Sequence, residues 1–195
     1  MAARKSGPML GVEHLIRIGG ISKAALLEEL ERSGISINPL AHTLFADDRF
    51  EIEKEVEDIR CVALSVAELG LAQGGTWPLI VQHATALGLS LCPMETGPHL
   101  RLRWREQAEG AIGQSATRGK APFGSLTVAS AALCDDPSVP KGFYLRRIEG
   151  VLWLRGYQSD DEHVWSADAC LLFQTAAQLA GLGGECFAAE HAKGV

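Results

Sequence analysis

Phe143-Tyr144-Leu145-Arg146-Arg147-Ile148-Glu149-Gly150-Val151-Leu152-Trp153-Leu154-Arg155-Gly156-Tyr157 is the stretch whose reading decides the fold class. Two runs rich in aromatic and branched residues flank the two-residue turn Glu149-Gly150, the pattern of a β-hairpin. That turn pairs Ile148 with Val151, Arg146 with Trp153, and Tyr144 with Arg155. Phe143, Leu145, Leu152 and Leu154 then share one face, which belongs to a core. Tyr144, Arg146, Trp153, Arg155 and Tyr157 share the other, where guanidinium groups interleave with rings and favour cation–π stacking. The register matters because a slip by one residue would exchange the two faces.

On the N-terminal side the pattern is helical. Ser22 is a good N-cap, Ala24, Ala25, Leu26, Leu27 and Leu30 recur at helical spacing, and Gly34 offers a stop. Asn38-Pro39 reads as the N-cap and first residue of a second short helix reaching about Ala46. The two predict a helical hairpin. As a DNA-reading unit it is poor, because the second helix has no Lys or Arg and ends in Asp47 and Asp48. Residues 47–58 hold seven acids against Arg49 and Lys54, a solvated linker or edge. Residues 59–64 suit a strand, and Ser65 with Glu68 has the spacing of a capping box. Thr76-Trp77-Pro78 opens a further helix with Leu79, Ile80, His83, Ala84 and Leu87 as its stripe, stopped by Gly88.

Beyond Gly88 the chain turns β-rich. Residues 89–92, 99–105 and 126–132 are strand candidates, and residues 106–122 read as a long polar loop. Residues 1–20 read as an irregular leader, 21–173 as one domain, and 174–195 as a flexible or loosely docked tail. The expected fold is α+β: a mostly antiparallel sheet, an N-terminal helical hairpin and one further helix.

The chain has 195 residues and a mass of 20.9 kDa, is 47% hydrophobic, and has a formal charge of −6. Those values suit a globular protein with a real core and exclude a disordered or multi-span membrane chain. The acidic average disfavours nucleic acid and anionic membranes as partners. The start lacks the apolar stretch of about 7–15 residues that export requires. The five cysteines are odd in number and form no CxxC pair. A cytoplasmic location with reduced, mostly buried thiols is the expectation.

Four constellations could carry chemistry. Residues 99–105 alternate, so a strand would align His99, Arg101, Arg103 and Arg105 on one face as an anion-binding row or an edge-strand solubility device. The hairpin's Arg/aromatic face could stack a planar ligand and neutralise its anionic group, or only stabilise the sheet. His163 lies in the acidic loop 159–165, and Glu95, His99, Asp135 and Asp136 could join it only if the fold brings them together. Residues 113–120 look like a phosphate-binding loop, but they have five residues between the glycines, Ala121 where Ser or Thr is needed, and no preceding strand. No cofactor motif, nucleophile elbow or metal-ligand spacing occurs.

Some strings are more specific. Leu87-Gly88-Leu89-Ser90-Leu91-Cys92-Pro93, Glu95, Gly97-Pro98-His99-Leu100-Arg101-Leu102 and the run from Pro140-Lys141-Gly142 through Tyr157 resemble a family of short, uncharacterised bacterial proteins, some labelled "helicase" by automatic transfer. The likeness spans residues 16–173 and implies no established activity; the tail after Gln174 departs from the family pattern, which ends near a short strand. The helicase label fails physically, for the chain has no nucleotide-binding loop and too little length for two motor domains.

These readings predict a binding protein for a planar anionic ligand or an acidic partner. Tyr144, Arg146, Trp153, Arg155 and Tyr157 would form its site, with Arg101 and Arg103 adjoining. The alternative is a small hydrolase or transferase built on His99 or His163 with Glu95 or Asp135. A nucleic-acid accessory role comes third, and homodimer formation stays open. A histidine within reach of a carboxylate inside a pocket would favour the enzyme; an open Arg/aromatic face would favour the binder.

Overall fold

The computed structural model describes residues 11, 13–110, 122 and 124–175. The architecture is α+β, with a mixed sheet that curves into a half-barrel. In chain order the elements are β1 (Glu13–Ile18), α1 (Lys23–Arg32), β2 (Ser36–Ile37), α2 (Pro39–Ala46), β3 (Glu57–Ser65), β4 (Gly75–Thr76), α3 (Trp77–Ala86) and β5 (Leu89–Ser90). They continue with α4 (Thr96–Arg103), β6 (Leu126–Val128), β7 (Gly142–Ile148), β8 (Val151–Tyr157), β9 (Val164–Trp165) and β10 (Cys170–Thr175). The main sheet runs β1-β3-β10-β6-β7-β8-β2, with β5 also paired to β10. β10 with β6 and β2 with β8 are parallel; the other pairs in this sheet are antiparallel. β4 and β9 form a small separate ribbon.

Alternation along β10 divides the core. Leu172 belongs to an apolar cluster with Ile16, Ile18, Leu26, Leu30, Leu44, Phe143, Leu145 and Leu154, whereas Leu171 and Phe173 belong to one with Val66, Ile80, Ala84 and Trp165. Since successive strand residues point to opposite faces, the clusters lie on the two sides of the sheet. Residues of α1, α2 and α4 line the first; α3 and β9 line the second.

The helix starts form where local chemistry predicts them. Ser22 Oγ accepts from Ala25 N at 3.2 Å, and Asn38 Oδ1 accepts from Ala41 N at 3.0 Å. Ser65 and Glu68 make the reciprocal capping box, Ser65 N donating to Glu68 Oε2 and Glu68 N to Ser65 Oγ. The helical hairpin, however, does not form. β2 interrupts it by pairing in parallel with β8, after which α2 packs on β8 and α1 against α4. The two helices thus pack on different neighbours.

Two further expectations are corrected. The leader contains β1, an edge strand on β3; its alternation was masked by Leu15, an apolar residue left 57% exposed on the outer face. The strand expected at 99–105 is helix α4 instead. Gly97 lies against Phe143, where an added Cβ would come within 2.8 Å of the phenylalanine Cβ, so the helix start presses directly on the sheet. Pro98 falls in its first turn, where no intrahelical N–H bond is lost. Leu100 and Arg101 are buried beside Thr96 and Gly97, a helical spacing of four. Most of the polar loop at 106–122 and of the tail at 174–195 lies outside the described residues, but Gln174 and Thr175 pair with β5 in the sheet. No helix among the described residues is long and apolar enough to cross a membrane.

Candidate functional site

The β7–β8 hairpin has the register that its turn dictates: Ile148 opposite Val151, Arg146 opposite Trp153, Tyr144 opposite Arg155. Glu149 and Gly150 take φ of 51° and 77°, the left-handed pair of a type I′ turn, whose twist matches that of the strands. Phe143, Leu145 and Leu154 are fully buried in the first cluster, so the Arg/aromatic face is the opposite one. There the Arg155 guanidinium carbon stands 5.0 Å from the centre of the Trp153 ring and 6.0 Å from that of Tyr144. Tyr144 meets Tyr157 edge-on, with ring centres 6.5 Å apart. Trp153, Arg155 and Tyr157 are half-buried, while Tyr144 and Arg146 are only 8% and 7% exposed. The ladder's accessible part is therefore Trp153, Arg155 and Tyr157. Arg155 has no carboxylate partner among the described residues, and its buried Nε has no hydrogen-bond acceptor there.

Arg101 and Arg103 do not join this face. They sit on α4, which packs against the other side of the hairpin through Leu100. Arg101 is completely buried; it donates to Gln107 Oε1 at 2.5 Å and to the Trp104 carbonyl. Gln107 in turn donates to the Leu145 and Gly124 carbonyls. This chain of bonds fixes the turn after α4 to β7. Burial, aided by the charges of Arg105 and Arg147, pushes the Arg101 guanidinium down to about 10, so it stays protonated at neutral pH. Arg103 is exposed, and Arg105 donates to the Leu102 and Ser33 carbonyls. The basic row expected of a strand is thus dispersed around a helix.

The histidine and acid candidates separate into two places. His99 Nε2 on α4 lies 3.2 Å from Oε2 of Glu95, the residue that precedes the helix. Glu95 is 1% exposed, and its two oxygens also accept from Gly19 N at 2.9 Å and Glu53 N at 2.8 Å. Burial pushes its carboxyl up, but the bonds from His99, Glu53 and Gly19 together outweigh that and hold it below its ordinary value. A carboxylate so committed clamps three segments of chain. His163 and Asp135 lie elsewhere: Asp135 lines a cavity at the far end of the hairpin's Arg/aromatic face, and His163 packs on Trp165, a residue of its wall.

That cavity, of about 270 Å³, is walled by Trp77, Tyr157 and Trp165, with Ser130 also on its wall and Asp135, Asp160, Asp161 and Lys141 around it. The β4–β9 ribbon builds it by pairing Gly75 with Trp165, which brings Trp77 at the start of α3 to 6.1 Å from the Trp165 ring. Gly74, at φ 83°, allows the approach, since a Cβ there would lie 2.3 Å from the Trp165 carbonyl oxygen. Tyr157 stands perpendicular to Trp165 at 5.7 Å, and His163 meets the same ring edge-on at 5.4 Å. Burial pushes the Tyr157 phenol well up, so its hydroxyl stays neutral.

Compared with protein-family profiles, curated proteins and solved structures, the chain matches none. Trp77 and Ser130 had no place among the residues singled out from sequence. Trp77 reads there only as the start of a helix, and nothing in spacing joins it to Trp165 across eighty-odd residues of chain. Within the hairpin, by contrast, the turn alone was signal enough.

Proposed function

We propose that this chain is a binding protein whose Arg/aromatic hairpin face receives a planar anionic group, carried by a small ligand or an acidic partner. The observation that carries the reading is Arg155, stacked between Trp153 and Tyr144 with no carboxylate partner among the described residues. Stacking a guanidinium on a ring occupies its face and leaves its in-plane N–H groups for a carboxylate or phosphate. The neighbouring rings supply apolar surface for a planar body. The clamped state of Glu95 makes the hydrolase or transferase reading weaker, because the one described histidine–carboxylate contact serves to join chain segments. The family resemblance adds no activity to weigh.

The test is a titration of nucleotides and aromatic carboxylates against the wild type, Arg155→Ala and Arg155→Lys. At least one anion should bind, more weakly as salt rises, since a half-exposed charge is screened. Arg155→Ala should weaken binding by about tenfold or more, with Arg155→Lys restoring only part because the planar fork is lost. Binding no tighter than ~1 mM by any of them, or equal affinity in Arg155→Ala, would reduce the ladder to a sheet-stabilising device worth about 0.2–1 kcal/mol per cross-strand pair.

A further inference from the structure

We propose that the cavity between Trp77, Tyr157 and Trp165 is a second site, specific for a small organic ammonium ion that also carries an oxygen acceptor. The two sites share the Tyr157 ring, but this inference draws its charge and polar contacts from residues outside the anion ladder and takes the opposite charge.

Two features point to a cation. First, the walls are aromatic rings from three separate elements, α3, β8 and β9, and ring faces attract ammonium groups. A purely apolar ligand would need such walls too, so the charge around them decides. Three carboxylates, Asp135, Asp160 and Asp161, surround the cavity against one ammonium, Lys141. Lys141 is already occupied, its Nζ donating to the Cys134 and Asp136 carbonyls at 2.9 and 2.8 Å. Asp160 spends Oδ1 on the Glu162 and His163 amides. Asp135 and Asp161 have no side-chain partner among the described residues, which leaves the cavity mouth negative.

The cavity wall also contains unspent hydrogen-bonding capacity. Ser130 is 2% exposed and Trp165 5% exposed, and neither Ser130 Oγ nor Trp165 Nε1 has a hydrogen-bond partner among the described residues. Burying such groups unmet costs about 1–3 kcal/mol each, so a ligand that satisfies them gains affinity. Trp165 Nε1 can only donate, and Ser130 can donate or accept. A ligand oxygen can accept from Trp165 Nε1 or from the Ser130 hydroxyl, hence an amino alcohol or similar ion rather than a bare tetraalkylammonium. A metal cation fits poorly, because no three His, Cys, Asp or Glu side chains converge as ligands among the described residues. The volume of about 270 Å³ suits a small ion.

The experiment uses the whole chain, titrated calorimetrically with choline, tetramethylammonium, the neutral choline isostere 3,3-dimethylbutan-1-ol, and calcium chloride. Choline should bind saturably, about tenfold or more tighter than its isostere, since only the charge differs. It should also exceed tetramethylammonium, which has no oxygen. Asp161→Asn, on an exposed loop, should weaken choline severalfold, and Trp77→Phe should keep more affinity than Trp77→Ala. Arg155→Ala should leave choline binding unchanged, so the fate of the anion site does not decide this one. Equal affinity for the neutral isostere would overturn the proposal in favour of a plain apolar cavity. So would displacement of choline by calcium, or no saturable binding of choline up to ~10 mM.

Discussion

The side-chain amide of Asn38 pairs with both backbone groups of Gly156: Nδ2 donates to the Gly156 carbonyl at 3.0 Å, and Oδ1 accepts from the Gly156 amide at 2.7 Å. The same Oδ1 caps α2 through Ala41 N. One buried residue thus joins the start of a helix to strand β8 across 118 positions of chain. The close contact excludes a side chain at the strand residue, where a Cβ would fall 2.6 Å from the Leu40 carbonyl carbon and 2.7 Å from Ala41 N.

Asn38→Ala should therefore cost more than the loss of a cap. Removing a capping side chain costs about 1 kcal/mol, and leaving the Gly156 amide and carbonyl buried without partners adds about 1–3 kcal/mol each. A total of about 3 kcal/mol or more is expected in urea denaturation. Gly156→Ala should destabilise comparably through the backbone clash, although alanine is the smallest change possible. A loss below about 1 kcal/mol for either would mean that α2 can move off β8 without consequence.

Glu95 gives the fold a pH dependence whose sign is fixed. Its folded carboxyl is held below the unfolded value of about 4.3, so its stabilisation is complete above that pH. As pH falls through the folded value, the carboxylate takes up a proton and the bonds from Gly19, Glu53 and His99 weaken. Melting temperature should thus drop as pH falls below about 4.3, and Glu95→Gln should flatten that part of the profile. Profiles of the same steepness for the two proteins would show that other acids dominate.

The hairpin should respond to substitution with opposite signs at its two ends. Leu145 is fully buried and faces Leu154 in the first cluster, so Leu145→Ala should cost about 2–5 kcal/mol. At the turn, Glu149 adopts a left-handed backbone that asparagine tolerates better. Glu149→Asn should raise stability by about 0.5–1 kcal/mol. Thermal melts of the two variants read both effects; an Asn at 149 that destabilises would contradict the type I′ geometry.

Sequence by itself determined the features governed by near neighbours. The caps at Ser22 and Asn38, the box at Ser65 and Glu68, and the Glu149-Gly150 turn each depend on groups within four residues, so their chemistry is present in the string. From that turn, the pleat's period of two carried the register outward and gave the faces of β7 and β8 with their Arg/aromatic ladder. Tertiary structure alone decided the rest. Residues 99–105 alternate well enough for a strand, yet contact of Gly97 with Phe143 and burial of Leu100 made that segment a helix and sent Arg101 into the interior. Two residues, Ser36 and Ile37, are too few to announce a strand, but the open edge of β8 supplied their partners and broke the helical hairpin. The cavity needed Trp77 brought to the distant stretch that holds Tyr157 and Trp165 by sheet pairing, and no local spacing encodes a convergence that arises from burial summed over the whole chain.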